Sequence, residues 1–171
     1  MILRKAIPAE APVIWTILQH AIEQRKRDGS DQWQNGYPNE QTIQDDLKKG
    51  YAYVFEIDNQ IAAYAAIVFG EDPAYNEIKG AWLTDGDYVN VHRVATAPEL
   101  KKKGVASQLF KKIETLCIDK GVYSIKIDTN FDNIPMLKIM DRLDYTFCGE
   151  VIVGGAPRKA FEKVLANPQY S

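Results

Sequence analysis

Residues 101–107 form a basic turn in which Lys101, Lys102 and Lys103 precede Gly104, Val105, Ala106 and Ser107. Phosphate binding is the chemistry such a turn suits. Gly104 lacks a Cβ, so an anionic oxygen can approach the main chain there, and Ala106 is the next smallest choice two residues on. A helix opening near Val105 would direct about four N–H groups and roughly half a positive charge at the same point. Each charge-assisted bond contributes about 1.5–3 kcal/mol, so about three or four of them hold a pyrophosphate. A solvated turn at the head of a surface helix has the same local pattern, so the surrounding elements must decide between the two.

His92 is the second candidate. It lies in the strand-like run 88–95, two residues before Val94, and alternation sends both side chains to one face. An imidazole, with an ordinary pKa of about 6.5, suits the removal of a proton from an amine. A histidine satisfied within a sheet fits the same position, and both readings stand. His20 sits beside Ala21 in an amphipathic stretch and reads as structural or exposed. Cys117 and Cys148 are the two thiols; without Cys-x-x-Cys spacing they suggest neither a disulfide scaffold nor a zinc site, and no other metal site is expected.

The elements that must position these groups follow from periodicity. Residues 2–7 read as a strand. Ile14, Ile17, Leu18, Ala21 and Ile22 mark one face of a helix that Pro12 can start and that ends near Arg27. After a polar loop over 28–38, Asn39 caps a second helix that Gly50 stops. Residues 51–57 and 61–69 form a hairpin around Asp58, Asn59 and Gln60, and the second arm is nearly continuously apolar. A long connection over 71–87 carries Tyr75 and Trp82, and loops of that length tend to be functional or mobile. The strand from Tyr88, the basic turn, a helix to Gly121 and a strand over 122–128 make a right-handed βαβ unit with parallel strands. A helix after Asn133 and two strands, 147–153 and 159–165, complete the chain.

At 171 residues the expectation is one domain, 1–171, with about 70% of the unfolded surface buried. Its 21 basic and 23 acidic residues give a net charge of -2, which argues against a nucleic-acid partner bound by an extended basic face. No apolar run reaches the ~18 residues that cross a bilayer, so a cytoplasmic protein without a membrane partner is expected.

The core Lys101-x-x-Gly104-x-Ala106, in this order of elements, resembles the coenzyme A pyrophosphate loop of the GCN5-related N-acetyltransferases (GNAT). The resemblance covers nearly the whole chain. It implies a mixed α/β fold, a single domain with a central antiparallel and parallel sheet of about seven strands and about four helices. It further implies acetyl-CoA (coenzyme A) as cofactor, held by the main chain of Val94, Ala95 and Thr96, by Lys101, Lys102, Lys103, Gly104, Val105, Ala106 and Ser107, and by Asn133 and Met136. The implied activity is N-acetyl transfer to a primary amine, on a small molecule, a peptide N-terminus or a lysine, by direct attack, with His92 as the base. Trp33, Tyr37 and Tyr64, with Asp31 nearby, are the candidates to line the acceptor pocket.

Two positions depart from the family pattern. Lys101 stands where Gln or Arg is usual, which keeps charge and loses a planar fork. Met140 stands where many members have the tyrosine that protonates the leaving thiolate, and Tyr145 takes the place of a packing aromatic. A thioether donates no proton, so a catalytically weak acyl-CoA-binding regulatory module is the alternative reading, and a Cys148 acyl-enzyme a remote third. A monomer or a homodimer is compatible with the sequence.

Overall fold

The computed structural model describes residues 1–100 and 103–170. Eight strands and four α-helices lie among the described residues: β1 (Ile2–Lys5), α1 (Ala11–Arg27), α2 (Glu40–Lys49), β2 (Ala52–Ile57), β3 (Gln60–Phe69), β4 (Lys79–Gly80), β5 (Val89–Thr96), α3 (Val105–Asp119), β6 (Ser124–Thr129), α4 (Ile134–Arg142), β7 (Thr146–Val153) and β8 (Ala156–Val164). Two compact units result, Met1–Ile67 with Arg93–Lys112, and Val68–His92 with Ile113–Ser171. β5 and α3 each begin in one unit and end in the other.

In the first unit β1, β2 and β3 are antiparallel neighbours. Asp58 and Asn59, at φ +51° and +64°, make the two-residue β2–β3 turn, the left-handed pair that matches strand twist. Ala62 to Ala66 on β3 are fully buried, as an apolar run on both faces requires. Against this sheet pack Ile14, Ile17 and Leu18 of α1 and Ile43 of α2. Asn39 caps α2 by accepting the Thr42 N–H at 3.0 Å, and Gly50 ends the helix at φ +76°.

In the second unit the strand order is β5, β6, β8, β7, β4. β5 and β6 run parallel, with Val89 opposite Ile125 and Asn90 opposite Lys126. The other pairs are antiparallel. β4 is the strand that takes the count past the expected seven. Two residues give no periodic signal, and its pairing depends on a close approach: a Cβ on Gly80 would stand 2.1 Å from the Cys148 carbonyl oxygen, and one on Gly149 2.2 Å from that of Lys79. Among the described residues no helix is long and apolar enough to cross a membrane.

Candidate active site

The second unit carries a polar sheet face. On β6, Ser124, Lys126 and Asp128 alternate with Ile125 and Ile127, and the segment 71–87 supplies Tyr75 and Trp82 as cover. Glu162, fully buried on β8, accepts from Ser124 Oγ at 2.8 Å, from the Leu83 N–H at 2.8 Å and from Thr84 Oγ1 at 2.5 Å. The Lys126 ammonium lies 4.3 Å over the Tyr88 ring and 4.6 Å over Trp82, donates to the Thr84 carbonyl at 3.3 Å, and is lowered in pKa by burial.

His92 enters this face beside two carboxylates. Its Nε2 lies 2.5 Å from Asn90 Oδ1 and 3.4 Å from Asp72 Oδ2, and its Nδ1 lies 3.9 Å from Asp128 Oδ1. Asn90 Nδ2 donates to the Gly70 carbonyl at 2.7 Å, which fixes the amide so that Oδ1 faces the imidazole. Nε2 therefore carries the hydrogen in the neutral ring, and Nδ1 holds the lone pair. The hydrogen bond from His92, with the Ala74 N–H and against the cost of burial, holds the Asp72 carboxyl below the usual range. Asp128 Oδ1 also accepts the Tyr75 hydroxyl at 2.6 Å, and burial raises that phenol well above its ordinary pKa. Arg158 on β8 faces the other oxygen, with Nε 3.7 Å from Asp128 Oδ2.

In the first unit a second carboxylate is fully engaged. Arg93 donates to Asp46 through Nε at 2.9 Å and Nη2 at 2.6 Å, and the Tyr64 hydroxyl donates to the same group at 2.5 Å. Arg93 Nη1 reaches the Tyr37 hydroxyl at 2.6 Å. Arg93 has φ +54°, a left-handed residue inside β5. That conformation interrupts the extended repeat, so the alternation expected to put His92 and Val94 on one face does not carry across it.

Of the expected acceptor-lining residues, Tyr37 and Tyr64 meet through Arg93 and Asp46. Tyr64 has no exposed surface and bonds Asp46, so it is a core residue and not a pocket wall, because β3 buries both its faces. Trp33 packs on the core of the first unit, while Tyr37 and Asp31 are exposed. Val94, Ala95 and Thr96 follow Arg93 in β5, and Ala95 is buried. The basic turn leads into α3 as predicted for residues 103–107; Lys101 and Lys102 lie outside the described residues. Gly104 has φ +74° with open space where a Cβ would stand, Lys103 is exposed, and α3 opens at Val105.

Asn133 caps α4, its Oδ1 accepting the Met136 N–H at 3.3 Å. Met140 is fully buried, and Tyr145 packs beneath Lys163, whose Nζ lies 5.8 Å from the ring centroid. Burial pushes the Cys117 thiol up to about 12 and raises Cys148 as well, which makes both poor nucleophiles.

With this geometry in view, the family model described as Acetyltransferase (GNAT) family matches residues 16–145. The chain belongs to the GNAT acetyltransferase family. A GNAT-family acetyltransferase from Streptococcus agalactiae is 33% identical, with TM-score 0.88 and coverage of 96% of this chain and 95% of that one. An acetyltransferase of the family from Listeria monocytogenes shares the fold at 19% identity and TM-score 0.76, covering 96% and 94%. The Salmonella typhimurium protein yncA, solved with its cofactor acetyl-CoA, shares it at 15% identity and TM-score 0.68, covering 97% and 94%. None of the curated proteins matches the chain.

Sequence reasoning about this acetyltransferase missed Asp72, Asp128 and Arg158. For Asp128 the available signal was period two: Ser124, Lys126 and Asp128 alternate with Ile125 and Ile127 on β6 and mark a buried, charged sheet face, whereas Arg158, directly followed by Lys159, and Asp72, outside the strands, carry no such signal.

Proposed function

We propose that this acetyltransferase uses acetyl-CoA as donor and acetylates a primary amine by direct attack, with His92 as the base. The observation that carries the reading is the imidazole itself: Asn90 and Asp72 hold Nε2–H, which leaves Nδ1 to receive a proton. An amine of pKa about 10.4 is deprotonated in roughly one molecule per thousand at pH 7.4, a deficit of about 4 kcal/mol, so a base matters more than an acid. Asp128, 3.9 Å from Nδ1, stabilises the imidazolium once the proton arrives.

The chain's own residues suit the cofactor where they are described. Gly104 leaves open space in front of the α3 N-terminus, as close approach of a diphosphate requires, and Lys103 adds charge beside it. Val94, Ala95 and Thr96 offer main-chain N–H and C=O groups to the pantetheine arm, and an N–H near Val94 is suited to polarise an acyl carbonyl. Asn133 and Met136 at the head of α4 complete the proposed contacts. When bound, acetyl-CoA supplies an activated acetyl thioester whose thiol, at an ordinary pKa of about 8.5, leaves without obligatory help from an acid.

The test follows thiol release from acetyl-CoA over a broad amine panel. Acceptor-dependent turnover is expected, and His92→Gln is expected to lower it at least about a hundredfold at pH 7 and to recover partly as pH rises, because the amine then loses its proton unaided. An unchanged pH profile in the variant removes His92 from the mechanism. Tight coenzyme A binding without turnover on any amine leaves the binding-module reading instead.

A further inference from the structure

We infer that Asp46 and Arg93 are positioning residues for acyl transfer: their ion pair holds Arg93 in its left-handed conformation, and that conformation aims the N–H of Val94. The inference rests on the reading of that N–H as the donor that polarises the acyl carbonyl, and it adds the side chains that keep the donor in place. Arg93, at φ +54°, stands where the clash of a Cβ favours glycine or asparagine. A residue so placed persists only where its surroundings over-determine it.

The surroundings do so here. Arg93 Nε and Nη2 donate to the two oxygens of Asp46 at 2.9 and 2.6 Å, and Nη1 donates to the Tyr37 hydroxyl at 2.6 Å. Asp46 is itself fixed, because it lies in α2, capped at Asn39 and Gly50, and accepts the Tyr64 hydroxyl of β3 at 2.5 Å. The anchor therefore comes from two elements other than β5. The Arg93 side chain is 14% exposed and each of its nitrogens has a partner, so it acts through its own backbone and not by touching substrate. The Val94 N–H belongs to the peptide unit between Arg93 and Val94, and the dihedrals of Arg93 set its direction. An extended residue would continue the strand repeat; a left-handed one turns that unit out of it.

The experiment measures thiol release at saturating acetyl-CoA, with an amine that the unaltered chain acetylates, for Arg93→Gly, Arg93→Asn, Arg93→Ala and Arg93→Val. All four remove the guanidinium, but only glycine and asparagine take a positive φ readily. Arg93→Val is expected to lower kcat about a hundredfold with little change in the KM of the amine, and Arg93→Gly to stay within about tenfold of the unaltered chain. That order opposes strand propensity, which favours valine over glycine, so a purely structural role predicts the reverse. Equal kcat in Arg93→Gly and Arg93→Val, or an unreduced kcat in Arg93→Val, overturns the inference. Should Arg93→Val fail to fold, equal kcat in Arg93→Ala and Arg93→Asn overturns it. Asp46→Asn should lower kcat about tenfold in the unaltered background and by less in Arg93→Gly, where no side chain is left to hold; an equal loss in both removes Asp46 from the role. The underlying reading fails in a different way, by the absence of thiol release from the unaltered chain with every amine.

Discussion

Arg93, Asp46 and Tyr64 in one unit, and Arg158, Asp128 and Tyr75 in the other, are the same three residue types built into groups that differ in one distance. Asp46 receives two Arg93 bonds, at 2.6 and 2.9 Å, together with the Tyr64 hydroxyl. Asp128 receives the Tyr75 hydroxyl but stands 3.7 Å from Arg158. The first group is closed: every strong donor has its acceptor, and the pair fixes a left-handed residue within β5. The second is open, and it borders the imidazole. Satisfied buried charge makes a rigid strut, whereas an ion pair held at a longer distance constrains its arginine less.

The widest separation between the two groups should appear on truncation. Asp46→Ala strands a buried guanidinium and the Tyr64 hydroxyl, and should cost about 3–5 kcal/mol of stability by chemical denaturation. Asp128→Ala removes one hydroxyl bond and no closed ion pair, so about 1–2 kcal/mol is expected, with a larger loss in turnover than in stability. Equal stability costs at the two positions would erase the distinction. Away from both groups, Gly104→Ala should cost about 1 kcal/mol through its positive φ and weaken coenzyme A binding measured by calorimetry. The smallest effect is a pH dependence on the open side. The Asp72 carboxyl is held below its usual range of about 4, so its contribution is present above that pH and disappears as pH falls through the lowered value. Asp72→Asn should therefore be less stable than the parent near pH 7, and the gap should close toward about pH 2. A gap that persists at low pH would show that lost packing, not charge, causes the difference.

Local signals made most of the fold readable. The α2 cap at Asn39, its stop at Gly50, the Asp58–Asn59 turn and the passage from β5 through Gly104 into α3 all depend on neighbours a few residues apart. The parallel β5–β6 pairing followed from the handedness of the crossover. Two-residue β4 escaped because its cause lies in Gly80 meeting Gly149, far along the chain. Around His92 the reading reached only as far as local pattern: the histidine stood out on its strand, but the left-handed Arg93 that breaks the alternation after it did not. Tyr64 looked like a pocket wall and is a buried donor to Asp46.

The order of elements, the helix that opens at a basic turn and the presence of an imidazole on β5 were therefore inherent in the chain's local chemistry. Which aspartate meets which arginine was not. Asp46 and Arg93 are joined across 47 positions and Tyr75 and Asp128 across 53, and such pairings exist only after strand register has brought distant backbones together. Whether a carboxylate closes on a guanidinium or stops short of it is a matter of about 1 Å, and that interval is set by packing in three dimensions, which no spacing along a chain encodes.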